Sequence, residues 1–134
     1  MGTSVVNKYK GFTSLKQSKQ LMKLGIGIRK ADMHYWDTTD EKMIGKLSYV
    51  PDIEFDSNFY YGTDNGKIYR YIPCWSLSAL LEVLPKSINN ETLTIKPSAA
   101  LWHVGYRNSY TVKADNAIDA CYQLIVYLHE LKIL

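Results

Sequence analysis

The sequence predicts an α+β fold, an antiparallel sheet packed with helices in an α/β/α-like sandwich. Three observations predict it. The segments ETLTIK, ALWHVGYR and SYTVKA each alternate apolar and polar side chains with period two and are bounded by turn residues, which fits a three-strand meander. The C-terminal DNAIDACYQLIVYLHELKIL sets Ala117, Cys121, Leu124, Leu128 and Leu131 at helical spacing, with Ile118, Tyr122 and Ile125 widening the stripe. Further upstream, FYYGTDNGKIYRYIP flanks TDNG with two aromatic-rich runs, and Asn65-Gly66 tolerates the positive φ angles of a tight hairpin turn.

The elements follow in order. In TSLKQSKQLMKLG, Ser14 and Gln17 match a capping box, Leu15, Leu21, Met22 and Leu24 give one apolar stripe, and Gly25 supplies a stop, so a helix is predicted over residues 15–24. Short strands are expected around 32–36 and 46–50, because Gly45 and Pro51 break any helix there. In IPCWSLSALLEVLP, Pro73 ends the hairpin strand, Ser76 caps a helix, and Leu77, Leu80, Leu81 and Leu84 share its apolar face up to Pro85. Asp115 is the expected N-cap of the last helix, with Asn116 and Asp119 in its first turn. One meander face carries Leu93, Ile95, Trp102, Val104, Tyr110 and Val112 and must be covered by helices. The other carries Thr94, Lys96, Leu101, His103, Thr111 and Lys113, mixed enough that the N-terminal half is expected to cover part of it.

Bulk properties bound the rest. A chain of 134 residues with 46% hydrophobic and 22% charged residues has the size and composition of one domain: a helix and hairpin region over 10–72, then a helix, meander, helix region over 73–134. The longest apolar runs are too short to span a bilayer, and MGTSVVNKYK lacks the apolar core of a signal peptide, so a soluble cytoplasmic protein is expected. Gly2 does not complete a myristoylation pattern, since Val6 stands where Ser or Thr is needed. The net charge of +3 is compatible with an anionic partner but lacks the concentrated basic stripe of a dedicated nucleic-acid binder.

The IPCWSLSALLEVLP helix, the tryptophan in the middle strand ALWHVGY, the tyrosine-containing SYTVKA and the helix opening ADNAIDACYQLI together resemble the phage ABA-sandwich domain over about residues 72–131. With SLKQSKQLMKLGI and ADM at the start of the chain, they are similar to small uncharacterised proteins of phages and mobile elements from gut Bacteroides-type bacteria. The resemblance implies a fold and a setting, the cytoplasm of the infected or host bacterium. It names no reaction and carries over no catalytic residues.

Candidate sites are weighed residue by residue. Cys74 sits just before a helix start, where a thiol pKa can fall, but its apolar neighbourhood argues for a core residue, as does the apolar stripe around Cys121. His34, His103 and His129 are far apart, and a zinc site would need the fold to gather them with Asp32 or Glu130. Asp37, Asp40 and Glu41 cluster, and Asp52, Glu54 and Asp56 alternate, a pattern that suits a solvated edge better than a metal or acid/base pair. GIGIRK lacks the Lys-Ser/Thr ending of a phosphate loop. A ligand site is expected instead from the aromatic and basic residues: Tyr69, Arg70 and Tyr71, Tyr106 and Arg107, and the strand-face residues Lys96, His103 and Lys113. They offer rings for stacking and cations for phosphate.

The expected function is therefore a non-enzymatic phage or mobile-element accessory protein that acts by binding: a counter-defence factor that blocks or sequesters a host immune component such as a nucleotide signal. Its expected partners are a host protein or an anionic small molecule, with no membrane, no cofactor and no metal; homo-oligomer formation stays open. A nucleic-acid-binding module and a small metal-dependent hydrolase are the alternatives.

Overall fold

A computed structural model describes residues 10–36, 44–45, 54–55, 60–64, 67–107 and 109–134; for residues 28, 36, 44, 45, 54, 55, 60–64 and 67–71 it describes the backbone alone. The predicted strand over 46–50 and the turn residues Asn65 and Gly66 lie outside the described residues.

The chain is α+β. Helix α1 spans Leu15–Leu24, with the Ser14 side chain accepting from Gln17 N–H and Gln17 Oε1 accepting from Ser14 N–H, the predicted capping box. Gly25 closes it in the left-handed region, φ 71°. Strands β1 (Met33–Trp36), β2 (Ile44–Gly45), β3 (Glu54–Phe55), β4 (Tyr60–Asp64) and β5 (Lys67–Cys74) form an antiparallel sheet in the order β2-β1-β5-β4-β3. The Asp64↔Lys67 register gives the β4–β5 hairpin the two-residue connection that Asn-Gly predicts. Strand β5 runs through Pro73 rather than ending there. Among the described residues its pairs with β4 run from Asp64↔Lys67 to Tyr60↔Tyr71, and Pro73 pairs with His34 of β1.

Helix α2 (Leu77–Val83) is capped by Ser76, whose Oγ accepts from Ala79 N–H. A small hairpin that the periodicity does not reveal follows, β6 (Ser87–Ile88) and β7 (Glu91–Thr92), turned by Asn89 and Asn90 at φ 53° and 68°. Strands β8 (Thr94–Ser98), β9 (Leu101–Tyr106) and β10 (Ser109–Ala114) make the predicted meander. Helix α3 (Ala117–Glu130) is capped by Asn116, not Asp115. Asn116 accepts from Asp119 N–H through Oδ1 and donates to Asp119 Oδ2 through Nδ2, a reciprocal pair that a carboxylate, having no donor, could not form.

Helices cover the apolar face of the meander. Trp75, Leu80, Leu84, Val104, Tyr106, Ile118, Cys121, Leu124, Ile125 and Leu128 form its core, while Tyr35, Ile72 and Cys74 pack with Phe12, Leu15, Met22 and Met33 in a second cluster against α1. The junction between the clusters is the segment around Trp75. Thr13 N–H donates to Trp75 O at 2.9 Å, Trp75 N–H to Thr13 Oγ1 at 3.1 Å, and the indole Nε1–H to Gly27 O at 2.9 Å. Ser76 donates from its N–H and its hydroxyl to the two Asp32 carboxylate oxygens.

A second tie joins the N-termini of α1 and α3. The Lys10 ammonium donates to Asp119 Oδ1 at 2.8 Å and to Gln17 Oε1, and Gln17 Nε2 also donates to Asp119 Oδ1. Burial pushes the Asp119 carboxyl upward, but the bonds from Lys10, Gln17 and Asn116 outweigh it, and the group is held below its ordinary value. A depressed carboxyl contributes stability that is present above its unfolded pKa and lost as pH falls through the folded value. Lys10→Met is therefore expected to lower the unfolding free energy by roughly 1 kcal/mol at pH 6 and to flatten its decline below about pH 4. Urea midpoints measured from pH 6 down to 3 check both effects.

Candidate anion-binding face

The face of the meander away from the helices is open. Thr94, Lys96, Thr111 and Lys113 are exposed and His103 is half-buried, so none of the described residues of the N-terminal half gives the partial cover expected there. The reason lies in the packing: α1 sits against β5, and its apolar stripe is used in that contact.

Strand register decides what this face presents. Lys96 pairs with His103 and His103 with Lys113, so the three form one row across β8, β9 and β10. Two residues along each strand, Thr94, Gly105 and Thr111 form the next row on the same face. The face is a concavity of about 700 Å³, lined also by Asn90, Glu91, Thr92 and Arg107.

Gly105 lines the floor of the concavity. The register shifts between Ser109 and Thr111, which leaves Tyr110 as a bulge residue at φ 47°. That bulge brings β10 against Gly105 so closely that a Cβ there would lie 2.5 Å from Tyr110 O and 2.6 Å from Thr111 Cα. Only glycine fits, and its missing side chain leaves the floor low between two threonines. The Tyr110 ring packs against the Tyr127 ring of α3, with centroids 6.2 Å apart.

The electrostatics are one-sided at the Lys96 end. Among the described residues the ion pairs are Lys10–Asp119 and Lys86–Glu82, and neither involves Lys96 or Lys113. Like charges held near one another on a sheet face repel, and an anion lying across the row relieves that repulsion while accepting hydrogen bonds from both ammonium groups. The acid of the concavity, Glu91, is at the opposite end, where its Oε1 accepts from Ser109 Oγ at 3.2 Å.

Of the residues expected to bind ligand, the fold brings Lys96, His103, Arg107 and Lys113 together around this concavity. It does not bring Tyr106 there. Tyr106 is fully buried among the helices and donates its hydroxyl to Pro85 O at 2.6 Å, and burial, then the nearby Cys121, push its pKa up to about 12. Neighbours in a strand point to opposite faces, so Tyr106 takes the core side with Trp102 and Val104. Tyr69, Arg70 and Tyr71 belong to the other sheet, in the middle strand β5, and their side chains lie outside the described residues. Residues 90–92 and Gly105 are the part of the site that sequence reading missed. An isolated glycine inside a strand pattern is a signal of a bulge or close approach and could have pointed to it.

The remaining candidates sit elsewhere. Cys74 is fully buried, bonded to Thr13, and burial pushes its thiol pKa up; Cys121 is buried in α3 and pushed up to about 12 for the same reason. Thiols in that state are packing residues, not nucleophiles. His34 is buried on β1, where burial lowers its pKa, and His129 Nδ1 contacts Leu134 O. Among the described residues no three His, Cys, Asp or Glu side chains gather as a metal site. Asp37, Asp40, Glu41, Asp52 and Asp56, and the Glu54 side chain, lie outside the described residues. Among the described residues no helix is long and apolar enough to cross a membrane. No family model, curated protein or solved structure matches the chain.

Proposed function

We propose that the protein acts by binding, and that the open face of the meander takes a phosphate-bearing small molecule of nucleotide class. The observation that carries this reading is the Lys96–His103–Lys113 row, with no carboxylate among the described residues paired to either lysine, beside a concavity floored by Gly105. Two ammonium groups and an imidazole suit a phosphate. A concavity of about 700 Å³ suits one small molecule. A duplex would need a longer basic track. The resemblance to phage and mobile-element proteins supports the setting we propose: counter-defence, in which the protein withdraws a nucleotide signal from a host response.

The test is calorimetric titration with nucleoside monophosphates and with ribose 5-phosphate at 50 and 300 mM salt, followed by denaturation and chromatography of the released ligand. Binding that weakens with salt and returns the ligand intact supports the reading. Hydrolysed ligand shows an enzyme instead, and the absence of any binding removes the anion site.

A further inference from the structure

We infer, resting on the anion-face reading, that the Lys96–His103–Lys113 row selects a terminal phosphate, a phosphomonoester, over a phosphodiester. Two features of the face carry this: the donors in the row, and the single direction in which space opens from it.

The register puts one nitrogen-bearing side chain on each of three strands, so Lys96 and Lys113 stand two strand spacings apart, about 10 Å, with His103 between them. The imidazole is short and half-buried, whereas each lysine carries its ammonium on a flexible four-carbon stem from an exposed position. The row is therefore low in the middle, and its two ends reach over a group seated there. Among the described residues no ion pair and no side-chain hydrogen bond uses any of the three. Three donors around one space match three acceptors. A phosphomonoester presents three free oxygens and a charge of about −1.5 to −2 near pH 7. A diester has one free oxygen fewer and a single charge.

The neighbours of His103 give the second feature. On β9 the residues two before and two after it share its face, Leu101 on one side and Gly105 on the other. Leu101 is exposed and sets an apolar side chain beside the row, while Gly105 sets none. The concavity is lined by Gly105 with Thr94 and Thr111, and its lining leaves out Leu101. A phosphate on the row thus has one way out for an ester substituent, over Gly105. A monoester has one substituent to place. The second substituent of a diester meets Leu101 or takes the oxygen that one of the three donors would hold.

The experiment titrates wild type and His103→Leu with adenosine 5′-monophosphate and with its phosphate methyl ester. Wild type is expected to bind the monoester at least tenfold more tightly than the methyl ester. His103→Leu is expected to weaken the monoester about tenfold and to leave the methyl ester within about twofold, so that the preference collapses. Equal affinities of wild type for the two ligands would overturn the monoester reading and leave the anion face standing. A preference undiminished in His103→Leu would assign it to ligand charge alone and overturn the role of the three-donor row. Failure of both ligands to bind wild type would remove the anion face and this inference with it.

Discussion

Trp75→Ala is expected to lower the unfolding free energy by about 4 kcal/mol. Trp75 is fully buried and lies where both core clusters, α1 and the start of α2 meet. Truncation removes the largest buried side chain in the described core and leaves Gly27 O without the indole N–H that satisfies it. Neighbouring backbone is poorly placed to collapse into the space. Gly27 is at φ 59°, and Val83 already fills the site where its Cβ would stand, 2.3 Å from Val83 Cγ2. Trp75→Phe separates the two contributions: it keeps a ring in the cavity but drops the hydrogen bond, with an expected cost of about 2 kcal/mol. Urea denaturation with an unchanged m-value checks both variants. A Trp75→Ala midpoint close to wild type would show that the junction is not what holds the two clusters together.

Lys96→Ala/Lys113→Ala is expected to weaken binding of ribose 5-phosphate and of nucleoside monophosphates at least a hundredfold, with stability unchanged within about 0.5 kcal/mol. Both side chains are exposed and unpaired among the described residues, so folding does not depend on them, whereas a bound phosphate loses two charge-assisted hydrogen bonds. Lys16→Ala/Lys19→Ala on the exposed side of α1 removes the same net charge and is the control. It should cost no more than a few-fold, since charge at a distance is screened. Equal losses in the two double variants would mean that net charge, not the row, attracts the ligand.

Much of the fold is legible in the sequence because its signals are local. Ser14 with Gln17 and Ser76 before Leu77 act through hydrogen bonds within a few residues, and the Asp64↔Lys67 register fits the hairpin that the aromatic runs predict. Period-two alternation likewise places Lys96, His103 and Lys113 on one face, but only the register makes them a single row. What the sequence hides depends on contacts between distant segments. Asn116 rather than Asp115 caps α3 because of its reciprocal bonds with Asp119, and Pro73 stays within β5, where its partner is His34 of the distant β1. The bulge at Tyr110 makes Gly105 obligatory, and neither is legible from the residues around it alone. Tyr106 shows the opposite error. Grouping it with Arg107 by adjacency overlooked the alternation that turns one to the core and the other to solvent.

The central claim is that the open meander face is the binding surface, and amide chemical-shift mapping during titration with ribose 5-phosphate tests it most directly. The predicted result is a saturable set of shifts confined to Thr94, Lys96, His103, Gly105, Thr111 and Lys113 and their immediate neighbours, abolished in Lys96→Ala/Lys113→Ala. Shifts centred on β5, or a spectrum that does not change at saturating phosphate, would contradict it.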